Sequence, residues 1–112
     1  MKINIKAGID LTPSLKTYIE EKLGPLTKFI KKFDETGEAE IWLEVSRTSK
    51  HHRKGSEVFV AAADLRLPKN ILRAEEYAED LRTAIDQARD TLRLEIEKYK
   101  TRNMEPRRSG KK

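Results

Sequence analysis

The residues of this chain whose spacing suggests chemistry are cationic side chains near its C-terminal end. Arg82, Arg89, Arg93 and Lys100 fall within about 20° of one line when this segment is wound as a helix at about 100° per residue. This line borders the apolar stripe of the same helix and faces outward. A basic edge of this kind could follow a phosphate backbone. A solvated face with ion pairs between neighbouring turns is the alternative. Most acids of the helix, Asp86 among them, are expected on the far side of the stripe.

Three further basic groups lie elsewhere in the chain. They are Lys16, Lys22, Lys28, Lys31 and Lys32 on a first predicted helix, Arg47, Lys50, His51, His52, Arg53 and Lys54 in a loop, and Arg107, Arg108, Lys111 and Lys112 in the tail. Lys and Arg together number 24 against 19 Asp and Glu, which gives a formal net charge of +5. Four basic clusters in one short chain favour an acidic partner, and we predict nucleic acid rather than a merely charged surface.

The residue types that enzymes and metal sites require are scarce or unsuitably spaced. The chain has no cysteine, which excludes thiol catalysis, disulfides and cysteine-based zinc sites. Its only histidines, His51 and His52, are adjacent, and neighbours in an extended segment point to opposite faces. No glycine-rich phosphate loop or nucleophile motif occurs. We therefore predict no enzymatic activity, no metal, no cofactor and no small-molecule substrate.

Aromatic residues make up only 6% of the chain, so stacking of single-stranded bases is weakly supported. Recognition of RNA shape and backbone fits better. Tyr18 and Phe29 fall on the apolar stripe of the first helix, and Tyr77 on that of the last, so all three are assigned to the core. Trp42 alternates with Ile41 and Leu43, which places it on an open sheet face or under a loop.

The hydrophobic pattern predicts an α+β fold with the order β-α-β-β-β-α. Residues 2–7, 39–46 and 57–67 alternate as strands, and residues 70–74 are a possible short fourth strand. Thr12-Pro13 signals the start of the first helix, which Gly24-Pro25 should kink. The last helix is predicted from Tyr77 to Arg102, with acids crowding its start. Two helices on one face of a four-stranded sheet would bury both apolar stripes.

The length of 112 residues fits one domain, predicted over residues 1–102, with a disordered basic tail over 103–112. The longest apolar run, residues 58–63, is too short to cross a bilayer, so no membrane association is expected. The N-terminus alternates apolar and polar residues and lacks the apolar block of a signal peptide. We expect a cytoplasmic protein.

Several segments, taken in order, resemble the ribosome hibernation-promoting factor family, also known as ribosome-associated inhibitor or sigma-factor modulation proteins. They are MKINIKAGIDLTPSLKTYIEEKLGPL, HHRKGSEVF, LRLPKNILRAEE and EDLRTAIDQARDTLRLEIEKYKTR. The resemblance implies a fold similar to double-stranded-RNA-binding domains. It also implies binding to ribosomal RNA phosphates in the mRNA channel of the small ribosomal subunit, near the A and P sites, which silences and protects idle ribosomes under stress. A chain of this length resembles the short form, and we expect a monomer off the ribosome.

Some basic residues match basic positions of the family, whereas other positions of the chain depart from the family's pattern. Lys22 and Lys28 match on the first helix, Lys98 and Lys100 match near the end of the last helix, and Arg89 matches a position that is basic in some members. Thr91, Leu94 and Glu97 stand where many relatives are basic, and Ala62 replaces a common Glu. Residues and resemblance together give one predicted RNA-binding set: Lys22, Lys28, Lys31, Arg53, Lys54, Arg82, Arg89, Arg93, Lys98 and Lys100.

Two other functions remain open at this stage. The same basic surface would serve an RNA- or DNA-binding transcription regulator that does not use the ribosome. An open sheet face around Trp42 would serve a protein-interaction module.

Overall fold

Alternating apolar residues build the strands of a single sheet, and two helical segments of the chain pack against it. The structure is a computed structural model, and it describes residues 2–31, 39–48, 58–68 and 70–104. The elements in chain order are β1 (Lys2–Ala7), α1 (Pro13–Leu23), α2 (Thr27–Ile30), β2 (Glu40–Thr48), β3 (Val58–Leu67), β4 (Asn70–Ala78) and α3 (Leu81–Met104). The predicted α+β fold with a four-stranded sheet is confirmed.

The four strands lie in the order β1-β2-β3-β4. β1 is parallel to β2, with Ile3 opposite Ile41 and Ile5 opposite Leu43. β2 and β3 are antiparallel, and so are β3 and β4. A parallel pair requires a crossover connection, and α1 and α2 lie within it. Residues that pair across strands point to the same face, so the apolar residues of β1 and β2 line one side of the sheet.

The helices bury this apolar side. The fully buried side chains include Ile41 and Leu65 from the sheet, Ile19 from α1, and Ile85 and Leu92 from α3. None of the described polar or charged residues is buried. The core is therefore one apolar layer between the sheet and the helices, and the chemistry of the chain lies on its surface.

The first helical segment begins, and its α-helix is interrupted, where its residues predict. Thr12 is the N-cap, and its hydroxyl oxygen accepts a hydrogen bond from the backbone N–H of Leu15 at 3.1 Å. Pro13 is the first helical residue. Gly24-Pro25 forms a 3₁₀ turn that separates α1 from α2. Leu23, Leu26 and Ile30 are buried before, within and after this turn, so the apolar stripe continues across the change from α- to 3₁₀-helix.

The predicted start of the last helix is wrong. α3 begins at Leu81, and residues 75–78 extend β4, which pairs with β3 as far as Ala78 opposite Phe59. Tyr77, assigned to the helix core, lies on the open sheet face and is 36% exposed. Period-2 and helical patterns overlap here, and the pairing with β3 decides between them. Asp80 directly precedes α3 and accepts a hydrogen bond from the backbone N–H of Thr83 at 3.0 Å, as an N-cap residue does.

α3 extends to Met104, two residues beyond the boundary predicted for the folded domain. The rest of the predicted tail lies outside the described residues, as does the basic loop around His51 and His52. Within the described ranges, no helix is long and apolar enough to cross a membrane.

Candidate nucleic-acid interface

α1 and α3 lie side by side on the sheet and run in the same direction. Near their N-terminal ends, the Arg82 guanidinium donates a hydrogen bond to the Ser14 hydroxyl at 3.2 Å. One turn further along both helices, the Tyr18 hydroxyl donates to the Asp86 carboxylate at 2.7 Å. The solvent-facing line along which these helices meet is called the helix seam below.

The N-terminal part of the helix seam is a cluster around the ring of Tyr18. The guanidinium carbon of Arg82 lies 4.8 Å from the ring centroid, and the Lys22 ammonium nitrogen lies 5.4 Å from it. The same ammonium nitrogen is 3.8 Å from an Asp86 carboxylate oxygen. Two cations thus contact one aromatic ring, and one carboxylate accepts from the phenol beside them.

The electrostatics of this cluster appear in the pKa of Tyr18, which is raised above its ordinary value of 10.0. The main cause is the hydrogen bond to Asp86, which favours the neutral phenol. Burial and the negative charge of Asp86 act in the same direction, whereas Arg82 and Arg89 act against it. Arg82 also contacts the Tyr18 ring directly, and Arg89 follows Arg82 by about two helical turns on the same side of α3.

The C-terminal part of the helix seam carries the second arginine–ring pair. The guanidinium carbon of Arg93 lies 4.7 Å from the centroid of the Phe29 ring in α2. Between the two ring pairs, the side chain of Arg89 is 33% exposed and pairs with the neighbouring carboxylate of Asp90 at 2.9 Å. Three arginines of α3 therefore follow one another along the seam, as the spacing predicts.

The expectation that acids lie on the far side of the apolar stripe is wrong for Asp86. This residue lies inside the basic row, where it contacts Tyr18 and Lys22. The physical reason is helical geometry, because Asp86 is only about 40° around α3 from Arg82 at about 100° per residue. The seam is basic overall but has a negative charge in its middle.

The remaining predicted RNA-binding residues are placed unequally. Lys28 and Lys31 are exposed at the α2 end, and Lys100 continues the arginine row, because it follows Arg93 by about two turns. Lys98 lies about 160° around α3 from Arg82, away from the seam, and its ammonium group is 3.5 Å from Glu95. Arg53 and Lys54 fall outside the described residues.

The reasoning from sequence missed the part that Tyr18 and Phe29 play in the seam. Both were assigned to the core, and both are only half-buried, at its edge. Their spacing carried a usable signal. Eleven residues separate Tyr18 from Phe29, and eleven also separate Arg82 from Arg93, which is about three helical turns. When two parallel helices share that spacing, Arg82 lies over Tyr18 and Arg93 lies over Phe29.

The opposite face of the sheet has a different character. Trp42 is 43% exposed there, with the Arg66 guanidinium carbon 4.9 Å from its ring and its indole N–H donating to Glu40 at 2.8 Å. Arg73 pairs with Asp64 at 3.0 Å. Cations and acids of this face compensate one another locally. No group of three potential metal ligands among histidine, cysteine, aspartate and glutamate occurs in the part of the chain that the structure describes.

The fold is thus a small four-stranded α+β sheet with a row of arginines along the helices that cover one of its faces. Residues 2–104 match the family described as sigma 54 modulation protein / S30EA ribosomal protein, and the chain belongs to this family. The resemblance drawn from its sequence is thereby confirmed.

Relatives of known description are similar along most of the chain. Ribosome hibernation promotion factors from Deinococcus radiodurans, Bacillus subtilis and Lactococcus lactis are 32%, 33% and 31% identical to it, over 93%, 91% and 96% of its length. The alignments cover 51%, 50% and 54% of those proteins. The chain thus spans about half the length of the curated relatives it matches.

Two solved structures share the fold. The N-terminal domain of Thermus thermophilus Protein Y is 26% identical, with a TM-score of 0.65 over 88% of this chain and 94% of that one. A ribosomal subunit interface protein from Coxiella burnetii is 21% identical, with a TM-score of 0.68 over 90% of this chain and 99% of that one. The second similarity concerns the fold alone.

Proposed function

We propose that this chain is a ribosome-binding module that promotes hibernation. It would occupy the mRNA channel of the small ribosomal subunit near the A and P sites, and so silence and protect idle ribosomes. The family and the names of the relatives support ribosome binding and hibernation. The site on the small subunit follows from the resemblance of the sequence. Its place of action would be the cytoplasm, where ribosomes are, and its effect would come from occupancy without catalysis.

The observation that carries this proposal is the one-sided distribution of uncompensated charge. Along the helix seam, the basic row of α3 meets Lys22 of α1, with Asp86 and Asp90 as the acids in contact with it among the described residues. On the open sheet face, Arg73 pairs with Asp64, and two further acids, Glu44 and Glu75, line the same shallow depression. A phosphate backbone therefore finds more available cations on the seam than on the sheet.

Sedimentation with purified ribosomal subunits tests the proposal. The chain should travel with small subunits, travel less with large subunits, and be displaced by tRNA bound in the A and P sites. Its affinity should fall steeply with salt, because each phosphate contact adds roughly 0.7–0.9 to the slope of log affinity against log salt. Equal binding to both subunits, or a flat salt dependence, would contradict the proposed site.

The same experiment separates the transcription-regulator alternative. A duplex DNA and a duplex RNA of equal length serve as competitors at fixed salt. If either duplex displaces the chain from bound small subunits as effectively as added free small subunits do, the seam is a general nucleic-acid surface. The ribosomal site is then not supported. Poor competition by both duplexes favours a binding site that only the folded small subunit provides.

A further inference from the structure

Two half-buried aromatic rings lie directly beneath two arginines of the helix seam. The ring of Tyr18 is 4.8 Å from the guanidinium carbon of Arg82, and the ring of Phe29 is 4.7 Å from that of Arg93. Each pair joins one residue of the first helical segment to one residue of α3. Arg82 and Arg93 are thus each in contact with an aromatic side chain of a different element.

Arg93 shows most clearly what the ring contributes. Its side chain is exposed, and no acid among the described residues lies within ion-pair distance of it. Among the described residues, the contact with Phe29 is therefore the interaction that restrains the Arg93 side chain. A guanidinium group held over the face of a ring spends none of its N–H donors on an acid, so the donors can still bind a phosphate. Charge and donors stay available, and the long side chain is restrained.

We propose that Tyr18 and Phe29 are positioning residues of the RNA-binding surface, which hold Arg82 and Arg93 in the orientation that receives the backbone. This inference rests on the proposed function, and it assigns a role to residues outside the basic set. Restraining a flexible side chain before binding lowers the entropy lost on binding. For each arginine, the gain in affinity is expected to be roughly two- to tenfold.

The spacing gives the proposal a geometric consequence. Arg82 and Arg93 are eleven residues apart on one helix, so their backbone positions are separated by about 16 Å. Each guanidinium carbon lies over its own ring, at 4.8 Å for Arg82 and 4.7 Å for Arg93, and the two ring residues are also eleven residues apart, so the two rings position contacts to different phosphates. The two ring–arginine pairs should therefore contribute independently to affinity. Tyr18 also contacts Lys22, whereas the Phe29 ring contacts Arg93 and should act only through that arginine.

A double-mutant cycle on Phe29 and Arg93 tests this. Phe29→Leu keeps an apolar side chain at the core edge but removes the ring face, and Arg93→Gln removes the charge. We expect Phe29→Leu to weaken binding to small subunits two- to tenfold in the parent and less than twofold in the Arg93→Gln background. Phe29→Tyr, which keeps the ring, should bind like the parent.

Side-chain NMR of the free protein gives a readout that general packing would not change. The Nε–Hε signal of Arg93 should show a ring-current shift and restricted motion in the parent and in Phe29→Tyr, and should lose both in Phe29→Leu. Equal weakening by Phe29→Leu in both arginine backgrounds, or no weakening in the parent, overturns the positioning role. If the parent itself fails to bind small subunits, the proposed function fails instead, because the cycle then has no reference affinity.

Discussion

Asp86 is the residue at which stability and RNA binding should respond in opposite directions. Its carboxylate accepts the Tyr18 hydroxyl at 2.7 Å and lies 3.8 Å from the Lys22 ammonium, inside a row of arginines. Asp86→Asn keeps an oxygen that accepts from Tyr18 and removes only the negative charge. The charge-assisted hydrogen bond then becomes a neutral one, which costs about 1 kcal/mol. The ion pair is about one-third exposed on both sides and adds at most about 1 kcal/mol.

Binding should instead improve. A phosphate about 6 Å from Asp86 is repelled by roughly 0.7 kcal/mol even at the dielectric constant of water, which corresponds to about a threefold change in affinity. Lys22 is also released from its carboxylate partner and becomes available to the backbone. If it gains one phosphate contact, the salt slope rises by roughly 0.7–0.9.

Two assays on one pair of proteins separate these effects. Urea denaturation should show a loss of about 1–2 kcal/mol in the free energy of unfolding for Asp86→Asn. Salt-dependent binding to small subunits should show a gain of about threefold or more. If the variant loses both stability and affinity, Asp86 orders the RNA surface, and the view of it as an opposing charge is refuted.

The tyrosinate absorbance of the same variant reports the cause. Because the folded pKa of Tyr18 is raised, the stabilisation it gives is fully present below about pH 10 and is lost as pH rises through the raised pKa. Asp86→Asn should lower this pKa toward its ordinary value. Tyr77 is an internal control, because the hydrogen bond to Glu75 on the open sheet face raises its pKa independently of Asp86.

Two further predictions concern the scaffold. Leu92→Ala should reduce the free energy of unfolding by roughly 2–5 kcal/mol, because the fully buried side chain leaves a cavity; the folded fraction should bind small subunits with parental affinity, and a loss of affinity without a loss of stability would contradict this. Thr12→Ala should cost about 0.5–2 kcal/mol in urea denaturation by removing the N-cap bond to Leu15, and an unchanged midpoint would show that the cap is dispensable.

Most of the fold follows from local patterns in the sequence. The alternation around Ile41 and the cap at Thr12 depend on near neighbours, so they can be read directly. The start of α3 depends on long-range pairing of β4 with β3, which no local window contains. Residues 75–78 satisfy a strand pattern and a helical one at once, and only the partner strand distinguishes them.

The candidate site also has one part that the sequence predicts and one part that depends on long-range packing. The row of Arg82, Arg89 and Arg93 lies on one helix, so helical periodicity predicts it. The support from Tyr18 and Phe29 requires knowing that two helices lie parallel and in a particular register, which is a property of the packed sheet. The pattern within α3 does give the angle of Asp86, but its partners belong to α1.

The most direct test of the central claim compares two double charge reversals of equal net effect. Arg89→Glu with Arg93→Glu changes the helix seam, and Arg66→Glu with Arg73→Glu changes the open sheet face. Each pair lowers the formal net charge by four, from +5 to +1. The pairs are also matched in contacts, since each contains one arginine in an ion pair and one that lies over an aromatic ring.

The measurement is the affinity for small ribosomal subunits as a function of salt, with thermal melting to confirm folding. The seam variant should lose most of its affinity, and its salt slope should fall by about 1.4–1.8, which corresponds to two phosphate contacts. The sheet variant should keep nearly the parental slope and lose affinity only through its lower net charge. Equal losses in the two variants would contradict the claim that the helix seam is the RNA-binding surface.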